Sequence, residues 1–148
     1  MTAGPVVKFS SAAAKIVMGV DDAPENLALL KAVVEAAGYT FRGAASGAEC
    51  LSFLAYVRPA LILLDVEMPD MSGLEVCRTI RSAAKPVAVP IIFLTAHRED
   101  EDVQECFAAG GDDFIVKPFD VIVLLDHIKR WVDRGDESRP AAGAKSRA

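Results

Sequence analysis

Five polar residues in this chain stand where apolar runs end: Asp21 and Asp22 after Ile16–Val20, Asp65 after Leu61–Leu64, Thr95 after Pro90–Leu94, and Lys117 after Phe114–Val116. Each alone has an ordinary structural explanation, as a helix cap, a turn opener, a strand end or a solvated cation. Their shared position points to chemistry. Carboxylates gathered together repel, a pair about 4 Å apart by on the order of 4 kcal/mol at an effective dielectric of 20, so the group requires positive charge. Lys117 supplies one unit and leaves room for a divalent cation. An oxygen-only ligand set without His or Cys favours a hard ion, and Mg2+ suits it because it takes few protein ligands and keeps its waters. A carboxylate, a hydroxyl, an ammonium and Mg2+ facing one space make a place for a phosphoryl group. Asp65 is then a candidate nucleophile that would carry it as an aspartyl phosphate.

Such a site needs elements that deliver these residues to one edge. Ile16–Val20 reads as a strand, and Pro24–Ala37 as a helix with Leu27, Leu30, Val34 and Ala37 at helical spacing, stopped by Gly38. Tyr39–Ala45 is a second strand. Ser46 with Glu49, and later Ser72 with Glu75, have the spacing of capping boxes and open the next two helices, on either side of a strand at Ala60–Asp65. Val89–Thr95 is the fourth strand. A helix with an acidic first turn, Glu99–Asp102, runs to Gly110, and Phe114–Val116 is the fifth strand. The last helix starts near Asp120 and carries Val121, Leu124, Leu125, Ile128 and Val132 on one stripe.

Strict alternation of strand and helix predicts an α/β fold, a doubly wound five-stranded parallel sheet with helices on both faces. A central strand of such a sheet is covered on both sides, which accounts for the unbroken run Leu61–Leu64. Ligands of these sheets bind beyond the carboxyl ends of the strands, where strand order reverses. All five polar residues would lie there.

At 148 residues the chain has the length of one domain, and 52% hydrophobic with 25% charged residues fits a compact core. A formal charge of -5 offers no general attraction to nucleic acid or an anionic membrane. The chain has neither an apolar segment of roughly 20 residues nor a signal-peptide layout, so a cytoplasmic protein is expected. Cys50, Cys77 and Cys106 are odd in number and widely spaced, and read as small apolar packing residues. Residues 1–14 and 135–148 read as flexible tails around a domain at 15–134.

The segments IVMGVDD (Ile16–Asp22), LILLDVEMPDMSG (Leu61–Gly73), PIIFLTA (Pro90–Ala96) and GGDDFIVKPF (Gly110–Phe119) together resemble the receiver domains of two-component response regulators, with their CheY-like, flavodoxin-like fold. The resemblance implies Asp65 as phosphoacceptor, Mg2+ held by Asp22, Asp65 and the backbone carbonyl of Glu67, and Asp21 assisting through water. Thr95 and Phe114 would be the switch pair, Lys117 the phosphoryl-binding lysine, and Lys117-Pro118 a cis peptide. Glu67 and His97 occupy positions that in the family bear on phosphate lifetime. The implied donor is a histidine kinase or histidine phosphotransfer protein, and the implied output a protein target. The chain would be no enzyme beyond its own phosphorylation and dephosphorylation.

Departures from the family pattern are Gly19 inside the first strand and Gly111 in place of the more usual Ala, both expected to loosen local packing, and Phe114 where Tyr is common. A phosphatase of the haloacid dehalogenase type would need an Asp at the position of Glu67. No output segment follows Arg134, so a stand-alone receiver is expected, against an excised domain of a longer regulator or hybrid kinase. A phosphate-independent interaction module is the other alternative, and homodimerisation through the last helix is left open.

Overall fold

The run Leu61–Leu64 is apolar at every position because it is covered on both sides: Ile62 and Leu64 join one buried cluster, and Leu61 and Leu63 the other. In the computed structural model, which describes residues 15–83 and 88–135, this run lies in β3 (Leu61–Asp65). The order is β1 (Ile16–Val20), α1 (Pro24–Ala36), β2 (Thr40–Ala44), α2 (Gly47–Phe53), β3, α3 (Gly73–Ser82), β4 (Ile91–Thr95), α4 (Asp100–Ala108), β5 (Asp113–Val116) and α5 (Val121–Gly135). All strand pairs are parallel and the sheet order is β2-β1-β3-β4-β5. The doubly wound architecture expected from the alternation is therefore the one formed.

Helices α1 and α5 cover one face through Leu30, Val34, Leu124, Ile128 and Val132, while α2, α3 and α4 cover the other through Cys50, Val76, Ile80 and Cys106. Each fully buried Leu or Ile contributes about 1.5–3 kcal/mol. The three cysteines are buried free thiols, as their spacing suggested. Burial pushes Cys50 up to about 12 and Cys77 and Cys106 up to about 11, which leaves them protonated and inert at neutral pH. Among the described residues no helix is long and apolar enough to cross a membrane.

Local chemistry sets the element ends. Helix α1 closes on Gly38, whose φ of 93° is the left-handed conformation of a Schellman turn: the N–H of Gly38 bonds the Glu35 carbonyl and that of Tyr39 the Val34 carbonyl. Tyr39 is thereby spent on the helix end, and β2 begins one residue later than expected. Ser46 and Ser72 accept from the N–H groups of Glu49 and Glu75 at 3.0 and 3.2 Å. Glu49 returns its carboxylate to the N–H of Ala45, one residue before the cap. The Asp120 carboxylate accepts from the N–H of Ile122 and opens α5.

Several expectations are corrected. Val121 is 46% exposed rather than part of the buried stripe, because burial along α5 begins only one turn in, at Leu124. Gly19 and Gly111 do not loosen the packing. A Cβ at Gly19 would stand 2.8 Å from the Phe41 ring, and one at Gly111 would run into the ring of Phe93, so each glycine makes room for an aromatic side chain. The expected tails 1–14 and 136–148 lie outside the described residues, and Gly135 closes α5.

At the opposite edge of the sheet from the site, Arg81 of α3 donates to the Gly110 carbonyl at 3.0 Å and to Asp112 at 2.9 Å, and Asp112 also accepts from the N–H of Ile91. This clasp joins α3, the end of α4 and β4. Its ion pair is largely buried, so Arg81→Ala removes a desolvated cation from beside the Asp112 carboxylate and its bond to the Gly110 carbonyl. The expected cost is about 2 kcal/mol, a drop of roughly 6–10 °C in thermal midpoint by calorimetry.

Candidate functional site

Strand register puts the polar residues on one level. Val20 pairs with Leu64, Asp65 with Leu94, and Thr95 with Val116, so Asp21, Asp65, Thr95 and Lys117 emerge together at the carboxyl edge. The ladder continues past the strand ends: the N–H groups of Asp21, Val66 and Lys117 bond the carbonyls of Ala44, Leu94 and Thr95. These residues are thus carried on hydrogen-bonded backbone rather than on free loops. The crevice lies between β1 and β3, where the strand order reverses.

Asp21, Asp22 and Asp65 each offer a carboxylate oxygen within 4.8 Å of the others. Asp65 and Asp21 are both 2% exposed, whereas Asp22 faces solvent. Lys117 Nζ lies 2.7 Å from Asp65 Oδ1 and 3.6 Å from Asp21 Oδ2. Burial, together with the negative charges of Asp21 and Glu67, pushes the Asp65 carboxyl up to about 6 against the pull of Lys117. For Lys117 burial acts downward, but the hydrogen bond it donates to Asp65 and the surrounding carboxylates outweigh it and raise its pKa. The ammonium remains charged. One cation set against this acidic cluster leaves net negative charge, and the open, oxygen-only donor set fits a hexahydrated-type ion such as Mg2+ that would exchange a few waters for carboxylates.

Thr95 is 3% exposed. Its hydroxyl donates to Glu67 Oε2 at 3.2 Å and accepts from the His97 backbone N–H at 3.0 Å. His97 Nε2 lies 3.2 Å from the same Glu67 oxygen, and its Nδ1 lies 3.9 Å from Asp102 in the first turn of α4. Phe114 is half-buried, packed on the core and edge-to-face with Phe107 of α4 at 6.1 Å. The Lys117-Pro118 peptide is cis, as the resemblance implied.

The residues singled out from the sequence are therefore brought to one edge, with Phe114 on β5 opposite Phe93, two residue pairs before Thr95 and Val116. Sequence reasoning missed three contributors. Asn26 donates to Asp21 Oδ2 at 3.2 Å, and the Ala23 N–H donates to Asp21 Oδ1 at 2.9 Å, so the start of α1 orients the buried acid. Gly73 donates its N–H to the Val66 carbonyl, and a Cβ there would collide with the Asp65 carbonyl oxygen. Asn26 carries no signal beyond its place in the first turn after the acidic pair; Gly73 had one, since it follows the Ser72 cap and shares the segment with Asp65.

A five-stranded sheet in the order β2-β1-β3-β4-β5 with an acidic crevice at its reversal point is the CheY-like form of the flavodoxin-like architecture. The chain belongs to the response regulator receiver domain family, whose model matches residues 17–129. It is similar to the signal receiver domain of a signal transduction histidine kinase from Syntrophus aciditrophicus, with 34% identity, a TM-score of 0.77, and 84% of this chain and 95% of that one covered. The response regulator protein TrrA from Thermotoga maritima, solved in complex with Mg2+-BeF, has 34% identity and a TM-score of 0.70 over 79% of this chain and 98% of its own. The DNA-binding response regulator MtrA from Mycolicibacterium smegmatis is 33% identical over 84% of this chain and 53% of itself. The chain spans about half the length of the curated relatives it matches.

Proposed function

We propose that this receiver domain takes a phosphoryl group onto Asp65 from the phosphohistidine of a histidine kinase or histidine phosphotransfer protein, and passes the signal on through protein contact. The observation that carries this reading is the buried Asp65 carboxylate held 2.7 Å from the Lys117 ammonium, within reach of two further acids. An Asp65 oxygen would bond to phosphorus as the P–N bond of the donor breaks and its electron pair returns to the imidazole. Lys117 would neutralise charge on the transferred oxygens, and the Thr95 hydroxyl would donate to one of them. Mg2+, when bound, would supply the remaining charge neutralisation, held by Asp22, Asp65 and the Glu67 carbonyl with Asp21 acting through water. The Mg2+-BeF complex of TrrA supports this assignment by similarity.

In this reading Thr95 moves toward the phosphoryl group, Phe114 follows, and the surface formed by α4, β5 and α5 changes shape for a partner to read. Glu67 and His97, both part-exposed beside the acceptor, would tune how long the phosphate survives. A cytoplasmic receiver unit at residues 15–134, acting without direct nucleic-acid contact, belongs to the same proposal. DNA binding by MtrA is a property of a protein of which the matched segment makes up 53%.

Intact-mass spectrometry after incubation with acetyl phosphate tests the proposal. Phosphoryl mass is expected with Mg2+ and none after chelation with EDTA. Failure to gain it from either acetyl phosphate or a phosphorylated histidine kinase would leave the phosphate-independent interaction module as the reading.

A further inference from the structure

The Thr95 hydroxyl has one proton, and in this structure that proton is directed to Glu67 Oε2. The contact is one side of a closed ring. The His97 N–H holds the Thr95 oxygen at 3.0 Å, and His97 Nε2 meets the same Glu67 oxygen at 3.2 Å. The ring ties the β3–α3 connection to the β4–α4 connection, and the 3.9 Å approach of His97 Nδ1 to Asp102 extends it to the first turn of α4. A hydroxyl that donates to Glu67 cannot at the same time donate to an oxygen on Asp65, so two acceptors compete for one donor.

We propose that the Glu67 side chain is a positioning residue that holds the Thr95 hydroxyl away from Asp65 in the resting protein. Activation must then break the Thr95–Glu67 bond before Thr95 can engage the acceptor site. Glu67 sets the resting population through this bond, and His97 keeps its carboxylate in place. The inference rests on the proposed role of Thr95 for its functional consequence, while the latch itself is a property of the metal-free protein. Carboxylate charge alone would also act on the site, and the two effects separate cleanly. Glu67→Gln removes the charge but retains an oxygen that can accept from both Thr95 and His97, whereas Glu67→Ala removes both charge and acceptor. The part-exposed position of Glu67 makes either variant compatible with the fold.

Two measurements test the latch. In metal-free protein the Thr95 γ-methyl NMR resonance is expected to shift in Glu67→Ala and to remain near the wild-type position in Glu67→Gln. Titration with Mg2+ and beryllofluoride, read by amide NMR, is expected to show Glu67→Ala binding about 3- to 10-fold tighter than Glu67→Gln, the bias set by one part-exposed hydrogen bond. That ratio should fall to one in a Thr95→Val background. Equal behaviour of the Ala and Gln variants, or a ratio that survives Thr95→Val, overturns the latch. Absence of beryllofluoride binding in the wild type would instead count against the phosphoacceptor reading, and the metal-free resonance would still decide the latch.

Discussion

Asp65→Asn is expected to eliminate phosphoryl incorporation and, in the same protein, to raise thermal stability. The first effect follows because an amide oxygen is a poor nucleophile and carries no charge for Mg2+ to bind. The second follows from electrostatics. Burial and the neighbouring Asp21 and Glu67 push the Asp65 carboxyl up to about 6 in the folded chain, from an ordinary value of 3.8. The native state thus holds this proton more tightly than the unfolded state does. Ionisation costs native stability progressively between those two values and in full above about pH 6. After allowance for solvent screening the penalty is about 1–2 kcal/mol. The neutral Asn, nearly the same shape and still able to accept from Lys117, escapes it. Melting curves in EDTA should show the variant roughly 3–8 °C above wild type at pH 7–8 and level with it near pH 4. Saturating Mg2+ should narrow the gap by stabilising wild type. Persistent phosphoryl mass in Asp65→Asn would move the acceptor elsewhere, and a lower midpoint at pH 7 would mean that Asp65 is a net stabiliser.

Lys117→Ala should change stability in the opposite direction and also slow phosphoryl transfer. The ammonium is 2.7 Å from a carboxylate with 3% side-chain exposure and 3.6 Å from Asp21, so its removal leaves clustered acids without their cation. A lysine with a raised folded pKa contributes stability that is fully present below its unfolded value of 10.5, so the loss is felt throughout the neutral range. It should be about 2–3 kcal/mol at pH 7 in EDTA, a fall of roughly 6–12 °C. Near pH 4 the loss should shrink, because Asp65 is then protonated and repels less. Mg2+ should still bind and restore part of the midpoint, since it occupies the same electrostatic deficit. Phosphoryl incorporation from acetyl phosphate should fall about 100-fold, the usual cost of deleting one preorganised charge from a transfer site. Unaltered labelling kinetics would take Lys117 out of the transfer step, and an unaltered midpoint would mean that solvent already screens the acidic cluster.

The two substitutions differ in how readable they were beforehand. Asp65 could be found from LILLD alone, because four successive apolar residues are compatible with a strand covered on both faces, and a carboxylate at its end is then conspicuous. Lys117 was found by the same position after a shorter strand. Their separation of 52 residues is closed only by the sheet order, which places β4 and β5 beyond β3. Boundaries moved by one or two residues where an end group had another use, as at Tyr39. The misjudged Val121 shows the limit of periodicity, which identifies the face of a helix but not how far along the helix the sheet extends.

By itself the sequence determined the alternation of strands and helices, the central buried strand, the caps at Ser46 and Ser72, and the residue types at the strand ends, since these depend on local periodicity and on single-residue chemistry. Tertiary structure decided everything that depends on distance across the chain. Asp21 is the buried acid and Asp22 the exposed one; Phe41 and Phe93 fill the space left by Gly19 and Gly111; Arg81 reaches Asp112; and Thr95 spends its proton on Glu67. Such contacts join residues about 20 to 30 positions apart, as between Thr95 and Glu67 with 28. Their energies depend on a few tenths of an ångström in side-chain placement, which no local pattern encodes and only the packed sheet and its helices impose.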